Sequence, residues 1–267
     1  MIHIVVALGQ EAKPLIKHWK LKRSSQFSNL YFCADKLLVI SGMGSVKSAS
    51  ALGFLVGLTG QKNIPKLNVG IAGHPYRDLG TMWAVNKIVD IQSDKTFYPG
   101  FSLLKNKQPS LPLSTVTKPV RIFDSKDCLV DMEGAGFFES ATMTCNVEHI
   151  ALMKIISDNQ EQPFDKSRIP LIPEMIGAHL GEIDDVIMQL TDPRWAITQP
   201  QEDSTDGKLN TDNFSATQSH ELKKLTQKWH GLKCGPIPSD ITSQTNPKVL
   251  LQLFKARFLQ ESKKMSF

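Results

Sequence analysis

Apolar runs of strand length, several of them breaking on glycine or small residues and leading into a segment of helical character, constrain this chain more than any other feature. Residues 2–8 (I-H-I-V-V-A-L) read as a fully buried strand that Gly9 turns into a helix from about Gln10. Residues 37–41 form a second run, which passes through S-G-M-G-S into a small-residue helix over 46–58. A third, 67–72, ends at Gly73 and the turn-like His74-Pro75, and a fourth, 82–89, follows Gly80. Two more, 128–132 and 150–156, flank a helix over 134–145, and 172–190 reads as one helix with Glu182, Asp184 and Asp185 on its polar face. Continuous apolar strands alternating with helices predict an α/β fold: a central mixed, mostly parallel sheet flanked by helices over residues 1–193.

Beyond that domain the character changes. Residues 194–213, with Q-E-D-S-T-D-G-K-L-N-T-D-N, read as a polar linker. Residues 214–267 read as a two-helix extension, with helical patterns over 215–229 and 246–261. Of the formal charge of +5, all the excess lies at this end: residues 208–267 hold ten Lys/Arg against four Asp/Glu. We read this as the solvated face of amphipathic helices, not as a nucleic-acid or anionic-surface contact. Cys33, Cys128, Cys145 and Cys234 show no C-x-x-C spacing, which argues against a zinc site or a disulfide framework and fits a reducing, cytoplasmic setting. No basic segment precedes the first apolar run, so no secretory signal is expected, and the 49–58 run is too short to span a bilayer.

Two acids stand where burial makes them costly. V-D-M-E-G-A-G-F-F (130–138) carries Glu133, and I-I-S-D (155–158) carries Asp158 directly after an apolar run. Strand ends opening into loops are where α/β sheets build sites. Taken locally, Asp158 is equally a helix N-cap and Glu133 a first-turn acid. His74, beside one of the glycine turns, reads as a turn histidine bonded to backbone. Histidines at metal-ligand spacing and the G-x-S-x-G elbow are both absent, so neither a metal centre nor a serine hydrolase is expected.

Four segments in order, I-V-V-A-L-G-Q-E (4–11), V-I-S-G-M-G-S-V-K-S-A-S-A-L-G (39–53), V-G-I-A-G (69–73) and the pair V-D-M-E-G-A (130–135) with I-I-S-D (155–158), resemble the nucleoside phosphorylase and nucleosidase superfamily. The group contains the methylthioadenosine/S-adenosylhomocysteine nucleosidases. The resemblance implies that Asp158, beside Ser157, protonates or hydrogen-bonds the purine N7. It also implies that Glu133 accepts from ribose hydroxyls, with Met132 packed on the sugar, and that Glu11 orients a water. The loops holding Gly42, Ile71 and Gly73 would border the ribose and the nucleophile. It implies a small-molecule nucleoside as ligand, no cofactor or metal, and the homo-oligomers common in the family.

The chain also departs from the pattern. Ile71 and Asn68 stand where phosphorylases of the family place Ser and Arg for phosphate, and the G-D-P phosphate loop is missing after the first strand. Phosphate needs a charge-assisted cradle. The expectation is therefore hydrolysis of the N-glycosidic bond of a purine nucleoside or a 5′-substituted adenosine. The alternatives are a phosphate-dependent phosphorylase and a family member that binds a nucleoside without turnover; relatives that act on adenosylated isoprenoids or futalosine share apolar residues in the G-x-A-G loop. The segment between Asp90 and Val130 is short for the family, leaving Phe97, Tyr98 and Phe123 as candidates to stack on a base. Lys154 stands where the family tends to carry Arg.

Overall fold

The structure, a computed structural model, describes residues 1–61, 63–100, 109–119, 126–192, 213–231 and 237–264. The chain divides into two compact units, Met1–Ala196 and Ile197–Phe267. The expected linker, all but its last residue, lies outside the described residues.

Among its described residues, the first unit holds ten strands in one sheet: β1 (Ile2–Val6), β2 (Lys22–Arg23), β3 (Leu30–Phe32), β4 (Lys36–Ile40), β5 (Lys66–Gly73), β6 (Met82–Asp90), β7 (Lys95–Phe97), β8 (Ser110–Thr115), β9 (Leu129–Asp131) and β10 (Ile150–Asp158). Strands β5, β10, β6, β8 and β9 pair in a closed circuit, from which β1, β4, β3 and β2 extend as a wing; β7 adds to β6. The fold is α/β with a mixed sheet, as the alternation implies. It is less parallel than expected, because β10 meets β6 antiparallel, and β9 meets β5 antiparallel, where the circuit closes. The long registers are parallel: β5 with β10, β6 with β8, and β1 with β4.

Among the described residues, five α-helices cover the sheet: α1 (Gly9–His18), α2 (Ser45–Thr59), α3 (Gly134–Thr142), α4 (Ile172–Gly177) and α5 (Leu180–Leu190). Every residue of β10 is buried, which is why its sequence is a continuous apolar run instead of an alternating one. One core gathers Ile4, Val6, Val69, Met153 and Ile155 with Leu15, Ile176 and Ile183. A second gathers Val5, Val39, Leu152 and Ile156 with Leu52, Leu55, Phe137 and Phe138. Successive strand residues thus serve opposite faces.

Three expectations need correction. The segment between β6 and β9, in which no strand was expected, contains β7 and β8; Pro112 is tolerated there because it sits at a register shift opposite Lys87. The single helix over 172–190 is two, α4 and α5, broken near Ala178–His179, where the His179 ring nitrogen lies 2.6 Å from the Gly80 carbonyl. The first strand stops at Val6, leaving Ala7 and Leu8 as a turn that closes on Glu11.

The second unit contains α6 (Ala216–Gly231), α7 (Ser239–Thr242) and α8 (Pro247–Lys264). The short α7 was not anticipated. Leu222, Leu225, Trp229, Ile241, Leu250 and Phe254 form its core, with Trp229 and Phe254 edge to face at 5.6 Å. Among the described residues, no helix is long and apolar enough to cross a membrane.

Candidate active site

The C-terminal ends of parallel strands β1, β5 and β10 come together, and a cavity of about 140 Å³ opens there. Ala7, Leu8 and Glu11 line it after β1, and Ile71, Ala72 and Gly73 at the end of β5. Val130, Asp131, Met132 and Glu133 contribute from β9 and the start of α3, and Ser157 and Asp158 from β10. Met43, Val116, Pro119 and Phe164 complete the lining. The cavity therefore brings together Asp158, Glu11, Glu133, Met132, Ser157, Ile71 and Gly73. Gly42 stands aside: its φ of 82° is left-handed, its amide donates to the Ala7 carbonyl, and Met43 reaches the cavity in its place.

Asp158 is the last residue of β10, and no helix follows it directly, so it caps nothing. Its Oδ1 accepts the Ser157 hydroxyl at 2.6 Å, while Oδ2 has no hydrogen bond from the described protein. Burial pushes its carboxyl above the usual range, against the Ser157 hydrogen bond and the charge of Arg168. Burial thus favours the protonated form, and a carboxyl with one oxygen unengaged at a cavity wall has the geometry to hand a proton to a ligand.

Glu133 is not held by its own helix. Its Oε1 accepts the Gly44 amide at 2.7 Å, at the N-terminus of α2, and Oε2 takes a longer 3.3 Å contact from the Met132 amide. Gly44 adopts φ 107°, a conformation that a side chain would strain. Burial first, and the neighbouring Asp131 second, raise the Glu133 carboxyl to about 7. The acid that stabilises the start of α3 is instead Asp131, whose Oδ2 accepts the Gly134 amide at 2.8 Å.

Glu11 lies in the first turn of α1 and is almost completely buried. Oε2 accepts the Ala7 and Leu8 amides, each at 2.8 Å, and Oε1 accepts the Ile71 amide at 2.9 Å. One acceptor site remains on Oε1. Burial raises this carboxyl, opposed by its three amide donors and by Lys154. The β5 amide of Ile71 is thus already engaged by Glu11. Asn68, inside β5, donates to the Val5 carbonyl.

Sequence reasoning missed several contributors. Of its aromatic candidates, Phe97 packs on Phe138, Tyr98 is exposed, and neither lines the cavity; Phe123 lies outside the described residues. Phe164 lines it instead, in the turn after β10. His74 is a turn residue whose Nδ1 accepts the Arg77 amide at 3.1 Å, while Nε2 approaches Asp127 at 3.0 Å. Arg77 makes a two-pronged contact with Asp127 and stacks over Trp83. Among the described residues, the lining includes no Lys, Arg or His.

By sequence, no family model and no curated protein matches the chain. By structure, the fold of this chain resembles those of solved 5′-methylthioadenosine nucleosidases. The 5′-methylthioadenosine nucleosidase of Arabidopsis thaliana superposes with a TM-score of 0.59 at 16% identity, covering 72% of this chain and 96% of that one. The 5′-methylthioadenosine/S-adenosylhomocysteine nucleosidase of Streptococcus pneumoniae, solved with a transition-state inhibitor, gives 0.56 at 18% identity over 72% and 99%. The corresponding enzyme of Helicobacter pylori gives 0.57 at 13% over 70% and 97%. At such identities the likeness is one of fold.

Proposed function

We propose that this protein hydrolyses the N-glycosidic bond of a purine nucleoside or a 5′-substituted adenosine. The observation that carries the reading is Asp158: a buried carboxyl, held by Ser157, with its second oxygen free at a cavity that Glu133 and Glu11 also line. Breaking this bond places positive charge on the sugar and negative charge on the departing base. Asp158 delivers a proton to the purine and makes it a better leaving group. Glu133 and Met132 hold the sugar, and the remaining acceptor site of Glu11 aligns the attacking water.

Water is the nucleophile in this reading. Phosphate requires cations or free amides, and the lining offers no Lys, Arg or His among the described residues, while Glu11 engages the Ile71 amide. The small molecules named with the structural neighbours, methylthioadenosine above all, head the list of substrates to try. The test is purine release from a panel of adenosine, inosine, 5′-methylthioadenosine and S-adenosylhomocysteine, with and without inorganic phosphate. Free sugar at a rate indifferent to phosphate is the expected result. Sugar 1-phosphate, formed at a rate that saturates in phosphate, overturns hydrolysis, and absence of purine release across the panel overturns the catalytic reading.

A further inference from the structure

At the wall of the cavity lies a charge cluster with parts that the proposed reaction does not use. Lys154, in the middle of β10, is 1% exposed, and its Nζ lies 2.8 Å from Asp131 Oδ2. Asp131 is fixed from two further elements. Oδ2 also accepts the Gly134 amide of α3, Oδ1 accepts the Thr115 hydroxyl of β8 at 2.8 Å, and Thr115 Oγ1 in turn accepts the Ala135 amide at 3.0 Å. Two more carboxyls act on the same ammonium, Glu133 and Glu11. Gly70 leaves the room for this gathering: a Cβ there would stand 3.0 Å from Glu11 Oε1 and 3.5 Å from Lys154 Nζ.

Three carboxyls therefore share one ammonium in a buried place, and like charges gathered there make it easier for one of them to hold a proton. The hydrogen bonds decide which acid keeps a proton. Asp131 has an ion pair and two short donors, and Glu11 has three amides at 2.8 to 2.9 Å. Glu133 has one short amide and one long one, so it is the least compensated. The groups facing it are Asp131 from β9, Lys154 from β10, Glu11 from α1 and the Gly44 amide before α2.

We propose that Asp131 and Lys154 are positioning residues for Glu133: Asp131, locked by Thr115, Gly134 and Lys154, is a fixed negative charge that keeps a proton on Glu133, so that Glu133 meets its ligand as a donor as well as an acceptor. The ligand it fits is a vicinal diol, with one hydroxyl accepting from the carboxyl proton and the other donating to a carboxyl oxygen. That identification rests on the nucleosidase reading; the protonation of Glu133 does not.

The two partners act on Glu133 with opposite sign, because Asp131 raises its carboxyl and Lys154 lowers it. A pair whose loss acted on Glu133 only by loosening the fold would shift it the same way in both variants. The experiment is a carbon-13 titration of the Glu133 carboxyl in the full chain without ligand, its resonance assigned by its loss in Glu133→Gln. In the parent protein the midpoint is expected near 7. Asp131→Asn should lower it by about one pH unit or more, and Lys154→Met should raise it by a similar amount, the scale set by a unit charge a few ångströms away in a protein interior. Lys154→Arg should stay close to the parent. Shifts of the same sign in Asp131→Asn and Lys154→Met, or no shift in either, overturn the proposal. If Lys154→Met does not fold, Asp131→Asn decides by its downward shift; if neither folds, a parent midpoint in the ordinary carboxylate range overturns it. No substrate is needed, so the outcome stands apart from the purine-release test: an enzyme whose Glu133 titrates normally keeps the reaction and loses this inference.

Discussion

Replacing Glu133 with Gln should remove a pH dependence of stability that the parent protein carries. Glutamine keeps the shape and can still accept the Gly44 amide, but it does not titrate. In the folded chain the Glu133 carboxyl is raised from 4.5 to about 7, by burial first and Asp131 second. A carboxyl raised in this way binds its proton more tightly in the folded state. Its contribution to stability is complete below about 4.5 and is lost as pH rises through about 7. Linkage between those values predicts that the parent loses about 2 to 3 kcal/mol between pH 5 and pH 8 through this residue alone. The assay is urea denaturation followed by circular dichroism at pH 5, 6, 7 and 8, for parent and variant side by side. Taking the difference cancels the titrating groups that do not interact with Glu133, including His3, which burial lowers to about 4. The variant's stability relative to the parent should rise with pH. A constant offset across the range would show that Glu133 is ionised throughout in the folded state, and the argument from crowding of carboxyls would fail.

Asp158→Asn should leave the fold intact and lower purine release about 100- to 10,000-fold, since the amide cannot supply the proton; parent-like turnover on a confirmed substrate removes Asp158 from the role of acid. Gly136→Ala should destabilise by about 3 kcal/mol or more, because the new Cβ would lie 2.2 Å from the Ser45 carbonyl oxygen, a backbone atom that moves only if α2 and α3 part. Gly57→Ala, with nothing within 4 Å of its Cβ, should instead stabilise by about 0.5–1 kcal/mol in the same denaturation assay.

The strands that are buried on both faces were the legible ones. β1, β5 and β10 announce themselves because continuous apolar sequence of strand length has few other uses, and Gly9 after β1 and Gly73 at the end of β5 mark turns. β8 escaped because proline masks a strand signal, and its tolerance depends on a bulge opposite Lys87 that only pairing reveals. β2 and β3, at two and three residues, are too short for any period to register. The break between α4 and α5 is set by the contact of His179 with Gly80, about a hundred residues away in sequence, so the apolar period runs across it unmarked.

The same distinction runs through the site. Asp158 and Glu133 stood out because an acid in an apolar setting demands an explanation, and the structure puts both at one cavity. What each does for the chain was not legible, because local rules assign acids to the nearest helix. By those rules Glu133 belongs to α3 and Asp158 to a helix after β10. Instead Asp131 stabilises α3, and Glu133 reaches across to the N-terminus of α2, where it approaches the cavity from a foreign helix end. The exchange is what leaves Glu133 underused by the protein. An acid that capped its own helix would have its oxygens engaged by successive amides, whereas this one keeps a short bond on Oε1 and a weak one on Oε2. The capacity left over on Glu133, on Asp158 Oδ2 and on Glu11 Oε1 faces a single cavity, and convergence of unspent hydrogen-bonding groups is what a ligand site requires beyond a suitable volume.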